Sequence, residues 1–181
     1  MKEKMQENVG PTEETGGRSR TVTWQDPFIL ANLGGKASGL ELLQRMVRGE
    51  LPPPPIAELL GFRLIEVEPG KAVFEFEPAE YHYNPIGVVH GGVAGTLLDS
   101  AMGCSVHTTL PPNTAYTTLE FKVNLVRAVT KDTGLLRCEG RLVYGGKRAA
   151  TAEGKLVDRE GKLYAHGTTT CMIFPLAAER G

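Results

Sequence analysis

The chain has 181 residues, 41% of them hydrophobic and 23% charged, with 20 basic against 21 acidic side chains and a net charge of −1. This is the composition of one ordinary globular domain, and so even a balance argues against a nucleic-acid or anionic-membrane surface as the main partner. No apolar stretch nears the roughly 18 residues of a membrane span, and the first 20 residues are polar without a signal-peptide core, so a cytoplasmic location is expected.

Residues 1–25 are rich in Glu, Gly, Thr, Arg and Lys with scarcely any large apolar side chain. A flexible tail over residues 1–37 is therefore expected, followed by a single domain over 38–176 and a short tail over 177–181. From Ser38, a cap candidate, Leu40, Leu42, Leu43, Met46 and Val47 recur at helical spacing up to Gly49, and the run Pro52-Pro53-Pro54-Pro55 then forces an extended spacer. A short second helix spans Ile56 to Leu60 and stops at Gly61. The period then changes to two: residues 62–67 and 72–77 flank Glu68-Pro69-Gly70-Lys71 and read as a hairpin.

Asn84-Pro85-Ile86-Gly87-Val88-Val89-His90-Gly91-Gly92 leads into Val93, Ala94, Leu97, Leu98, Ala101, Met102 and Val106, a helix over roughly residues 91–108 that Pro111-Pro112 ends. On a wheel of about 100° per residue, Gly92, Thr96, Asp99 and Gly103 share a small, flat arc opposite the large apolar side chains. An Asp there is costly to bury without a partner. Taken alone, Asp on an apolar helix is commonly solvated or capped, and His-Gly-Gly is commonly a plain turn. The neighbourhood favours chemistry: an amide at Asn84, an imidazole at His90, unpaired N–H groups at Gly91 and Gly92 and a carboxylate at Asp99 together suit acyl transfer.

Beyond the helix, Leu119, Phe121, Val123 and Leu125 alternate with Glu120, Lys122 and Asn124 in a half-buried strand over about 116–129. Residues 135–144 and 147–158 flank Gly145-Gly146 as a second hairpin, and 163–174 forms the last strand. The expected class is α+β: a curved antiparallel sheet of about six strands wrapped around one central helix. Gly140, Ala150, Ala152, Gly154, Ala165 and Gly167 would leave room for the helix against the sheet.

Cys104, Cys138 and Cys171 have neither disulfide-framework nor zinc-ligand spacing and are expected to be reduced core residues, while His82, His90, His107 and His166 show no metal spacing, so no metal is expected. Cys104 with His107, three residues on, is a weaker candidate nucleophile pair. No Gly-x-Ser-x-Gly elbow occurs.

The pattern Asn84-Pro85-x-Gly87-x-x-His90-Gly91-Gly92, Asp99, the strand Thr117-Thr118-Leu119-Glu120-Phe121-Lys122-Val123-Asn124 and the late Ala152-Glu153-Gly154-x-Leu156-x-Asp158 resemble the hotdog-fold acyl-CoA thioesterases of the phenylacetic-acid-degradation (PaaI-like) branch, over roughly residues 40–174. The resemblance implies the hotdog fold and hydrolysis of an aromatic or fatty acyl-CoA to free acid and CoA. It further implies Asp99 as general base or nucleophile and Gly91 N–H as the group polarising the carbonyl. Asn84 and His90 would hold carbonyl and water, and Thr118 would position the water. CoA is then part of the substrate and no separate cofactor is expected. For its diphosphate, Gly92 and the basic residues Lys122, Arg127, Lys147 and Arg148 on or beside the strands are candidates. A non-catalytic acyl-CoA or lipid-binding hotdog protein is the alternative of a different class.

Eight residues along one helix separate Gly91 from Asp99 by roughly 12 Å, beyond easy reach for one site. Two such helices paired antiparallel would bring donor and carboxylate together twice. At least a homodimer is therefore expected, and the resemblance implies further assembly into a tetramer built as a dimer of dimers.

Overall fold

The computed structural model describes residues 16–33 and 36–176. Four helices, α1 (Phe28–Ala31), α2 (Gly39–Val47), α3 (Pro55–Leu60) and α4 (Gly91–His107), accompany six strands: β1 (Phe62–Glu68), β2 (Lys71–Phe76), β3 (Thr114–Leu125), β4 (Leu136–Gly145), β5 (Ala149–Asp158) and β6 (Leu163–Pro175). Ser38 caps α2, its hydroxyl accepting from Glu41 N–H, as its position before a periodic apolar run predicts. Two single-turn 3₁₀ segments, Glu80–His82 and Lys131–Thr133, carry no periodic signal and were not expected from the sequence. Among the described residues, no helix is long and apolar enough to cross a membrane.

All six strands pair antiparallel in one sheet, ordered β1-β2-β4-β5-β6-β3. Helix α4 lies across its concave face. Leu97, Leu98, Ala101, Met102 and Val106 are fully buried there against Phe76, Leu136, Cys138 and Leu156. Each large side chain removed from water in this way contributes about 1.5–3 kcal/mol. The helix gets this close because the sheet is carved beneath it. Ala72, Gly140, Gly154, Gly167 and Val123 are successive cross-strand partners, and a Cβ at Gly140 would stand 2.1 Å from the carbonyl oxygen of Ala101.

Strand β3 closes the sheet on one side, with no neighbour beyond it among the described residues. A bulge between Thr118 and Glu120 interrupts its pairing with β6. The alternation read from the sequence is present, but the described residues leave much of its apolar face open: Leu119 is 59% and Leu125 60% exposed, with Phe121 exposed between them, while Val123 packs against the core.

Of the stretch expected as a tail, residues 1–15, 34 and 35 lie outside the described residues, as do 177–181. Residues 16–33 carry contacts that their composition did not suggest. Leu30 and Leu33 pack on a second small core of Ala37, Leu42 and Leu51. The Arg20 guanidinium donates to the carbonyls of Leu59 (2.7 Å) and Glu58 (3.1 Å). The stretch is thus held both by apolar packing at its end and by hydrogen bonds from Arg20 to backbone, and hydropathy does not register the second.

Candidate active site

A helix that begins with His-Gly-Gly must find acceptors for its first N–H groups. His90 is the N-cap of α4: its Nδ1 accepts from Gly92 N–H at 2.9 Å, and its carbonyl accepts from Val93 N–H. Because Nδ1 accepts, the neutral ring carries its proton on Nε2, leaving a donor on an exposed side chain. The N–H of Gly91 has no acceptor among the described residues. It is an unused donor at the positive end of a 17-residue helix.

The loop before the helix is held by Asn84. Its Oδ1 accepts from Ile86 N–H (3.1 Å) and Val88 N–H (3.3 Å), and its backbone exchanges further bonds with Gly87 and Val88. This is the Asx-turn use of an asparagine. The side-chain nitrogen has no partner among the described residues and is available as a donor. His82 O then accepts from His90 N–H at 2.8 Å, tying the cap to the preceding 3₁₀ turn.

Two turns along α4, the half-buried Asp99 carboxylate accepts from the Thr118 hydroxyl at 2.9 Å. The bulge after Thr118 sits beside this contact. Tyr116, Cys104 and Cys171 lie close behind the carboxylate: burial pushes the Tyr116 phenol well up, and the nearby Asp99 charge adds to the effect.

Two cavities meet at the start of α4. One, of about 300 Å³, is lined by Asn84, His90, Gly91, Arg127, Leu156 and Tyr164 among others. The second, of about 330 Å³, runs along Gly91, Gly92, Gly95, Thr96 and Asp99, with Phe121, Val123 and Leu125 of β3 as its far wall. Leu125 lines both, its Cδ1 2.6 Å from where a Cβ on Gly91 would be. The small-residue arc expected from the wheel is thus a groove floor, with one correction. Gly103 is not part of it, since the Tyr116 hydroxyl stands 2.7 Å from where its Cβ would project, and Gly95 takes the open place instead.

The basic candidates are not brought together within one chain. Arg127 lines the first cavity and donates to Leu163 O at the start of β6. Lys147 and Arg148 occupy the β4–β5 turn, where Arg148 O accepts from Ile173 N–H near the other end of β6. Nine residues of strand, about 30 Å, separate those two contacts. Lys122 is exposed midway, opposite Thr168. Sheet order decides these separations, and spacing along the sequence does not contain it.

The sequence profile of the thioesterase superfamily matches residues 86–165. The 1,4-dihydroxy-2-naphthoyl-CoA hydrolase of Listeria monocytogenes is 30% identical over 118 residues, which are 65% of this chain and 94% of that enzyme. This chain belongs to the thioesterase superfamily. Among solved structures, the thioesterase superposes on a phenylacetic acid degradation-related protein of Ralstonia eutropha JMP134 with a TM-score of 0.65 and 33% identity, covering 72% of this chain and 98% of that one. A mutant of the phenylacetic acid degradation protein PaaI of Thermus thermophilus gives a TM-score of 0.59 at 28% identity, with coverage of 65% and 97%. The fold is the hotdog fold that the resemblance implied.

Within the thioesterase, Cys104 and His107 do not make a nucleophile. Burial, with the Asp99 charge second, pushes the Cys104 thiol up to about 12, so almost no thiolate exists near neutral pH. His107 sits at the far end of α4 with its ring 5.6 Å from that of Tyr116, and burial pulls its pKa down. The residue that sequence reasoning passed over is His82, noted there only for lacking metal spacing. It is buried beneath the loop and bonded at both ring nitrogens, to Ala79 N–H and Leu60 O. No periodicity marks it, because it lies in a single 3₁₀ turn.

Proposed function

We propose that this thioesterase hydrolyses an acyl-CoA, aromatic or fatty, to the free acid and CoA in the cytoplasm, with Asp99 as the base or nucleophile and Gly91 N–H as the carbonyl donor. The observation that carries the reading is the unpartnered Gly91 N–H at the α4 N-terminus, open to both cavities. A thioester carbonyl placed there meets a backbone donor and the helix dipole, with the His90 Nε2–H and Asn84 amide groups in the same cavity. Asp99, oriented by Thr118, takes a proton from water as the water oxygen bonds to the carbonyl carbon. The tetrahedral intermediate collapses with cleavage of the C–S bond, and the CoA thiolate leaves with that proton. If Asp99 attacks directly, its carboxylate oxygen bonds to the carbonyl carbon, the C–S bond breaks and CoA leaves as the thiolate; water then cleaves the acyl-aspartate anhydride to the free acid and the Asp99 carboxylate, and the proton released goes to the thiolate.

Gly91 and Asp99 stand roughly 12 Å apart along one helix, so the working site joins Gly91 of one copy to Asp99 of another. The open edge of β3 supports this assembly, since an exposed apolar edge strand invites pairing with an identical strand. The unit is a homodimer at least, with a tetramer as its further assembly. Of the candidates for the CoA diphosphate, Arg127 and Gly92 line the two cavities, while Lys122 alternates with the groove-facing Phe121 and Val123 and so stands on the other face of β3. Lys147 and Arg148 would reach the diphosphate only from another copy.

Free-thiol release from a panel of aromatic and fatty acyl-CoA esters tests the activity. Asn84→Ala and His90→Ala should each lower kcat/KM by about ten- to a thousandfold through lost positioning or carbonyl donors. A wild-type protein that binds acyl-CoA but releases no thiol would make it a carrier, not an enzyme.

A further inference from the structure

The residues before the domain reach the site through a short chain of contacts. Helix α3 has six residues, and its C-terminal carbonyls must be satisfied from outside. Gly61 N–H takes Ala57 O, Arg20 takes Glu58 O and Leu59 O, and the His82 ring takes Leu60 O at 2.9 Å. A guanidinium at the negative end of a helix makes charge-assisted bonds to both carbonyls at once. The same guanidinium lies 4.1 Å over the Tyr81 ring, whose other neighbour is the His82 ring at 4.3 Å, and Phe76 backs His82 at 4.8 Å. His82 O in turn receives the N–H of His90.

We propose that Arg20 is a positioning residue of this thioesterase: it locks the end of α3 and the Glu80–His82 turn together, and through His82 fixes the backbone of His90 and with it the orientation of the Gly91 N–H. The inference rests on the proposed role of that N–H. The nearby Arg18–Glu80 ion pair at 2.7 Å reaches the same turn but is exposed on both sides, where such a pair contributes little. Arg20 differs because it spans two elements and its contacts continue inward to the helix cap.

The test compares Arg20→Met, which keeps the stem but removes every donor, with Arg20→Lys, which keeps one charge, Arg20→Gln as a second donor-poor variant, and Arg18→Ala as the neighbouring control. Each is assayed in the full-length protein for kcat and KM per folded molecule, with histidine-selective ¹⁵N NMR. Arg20→Met and Arg20→Gln should lower kcat about tenfold with KM within about twofold, and Arg20→Lys should recover part of the loss. The His90 ring resonances should move in both donor-poor variants while those of His166, on β6, stay. Arg18→Ala should leave rate and spectrum as they are. Unchanged kcat in Arg20→Met, a change confined to KM, a fall in kcat with His90 unmoved, or an equal loss in Arg18→Ala would each overturn the assignment. Should the wild-type protein hydrolyse no acyl-CoA, the proposed activity falls, and the His90 resonances still decide whether Arg20 sets the helix cap.

Discussion

Asp99→Asn is expected to lower turnover of a hydrolysed acyl-CoA by about a hundredfold or more, with the fold intact. Asn keeps the size of the side chain and an oxygen able to accept from Thr118, so the 2.9 Å contact survives while the charge is lost. What disappears is the capacity to take a proton from water or to form an acyl bond. KM should change little, because the carboxylate does not hold the CoA. Turnover near that of the wild type, at an unchanged melting temperature, would remove Asp99 from the chemistry. Mixed dimers sharpen the result. In the proposed dimer, impaired Asp99→Asn chains exchanged with impaired Asn84→Ala chains should regain part of the activity, since one of the two proposed shared sites then holds only intact residues.

The second large effect is on folding. Gly140→Ala should lower the melting temperature by about 10 °C, reflecting an overpacking cost of about 3 kcal/mol at about 2–4 °C for each kcal/mol in a chain of this size. The added methyl would meet the carbonyl of Ala101 at 2.1 Å and the amide nitrogen of Met102 at 2.6 Å, both helix backbone. Backbone cannot rotate away, so α4 must lift from the sheet. Gly154→Ala makes the contrast, because its nearest neighbours are the Leu98 and Met102 side chains at 3.0 Å, which can yield. Thermal melts of the two variants should differ by at least twofold in their shifts. Equal shifts would mean that the helix rides more loosely on the sheet than its burial implies.

What the sequence makes legible follows from which signals are local. Helix α4 is readable to within a residue, because its apolar period, its His-Gly-Gly start and the Pro111-Pro112 stop all lie inside one window. The two hairpins are readable for the same reason, their turns being Pro-Gly and Gly-Gly. Gly140, Gly154 and Gly167 could be suspected of making room for a helix, but their alignment as cross-strand partners depends on pairing between strands far apart in sequence. The candidate site divides the same way. Asn84, His90 and Gly91 fall within eight residues and share one cavity, whereas the bond from Thr118 to Asp99 joins two elements 19 residues apart and is stated by no local spacing. The basic residues are scattered, because β6 separates Arg127 from Arg148 and nothing near either residue states that distance. Arg20 and His82 were hidden by an opposite cause: their hydrogen-bond partners are backbone groups, which nearly every residue possesses and no composition reveals.

The open ladder of β3 also has a bearing on solubility. Residues 114–125, Thr-Ala-Tyr-Thr-Thr-Leu-Glu-Phe-Lys-Val-Asn-Leu, are rich in strand formers and contain no proline, and Glu120 and Lys122 are the only charges among them. A segment of this kind templates runaway stacking of chains as readily as it accepts a single proper neighbour. Glu120 and Lys122 are then the residues expected to act as gatekeepers against such stacking. Replacing both by Thr should leave the Asp99–Thr118 contact untouched, yet send a growing share of freshly made protein into light-scattering, thioflavin-positive aggregates at concentrations where the parent chain stays clear. Clear solutions of that double variant would place the safeguard elsewhere along the strand, with the bulge after Thr118 as the next feature to remove.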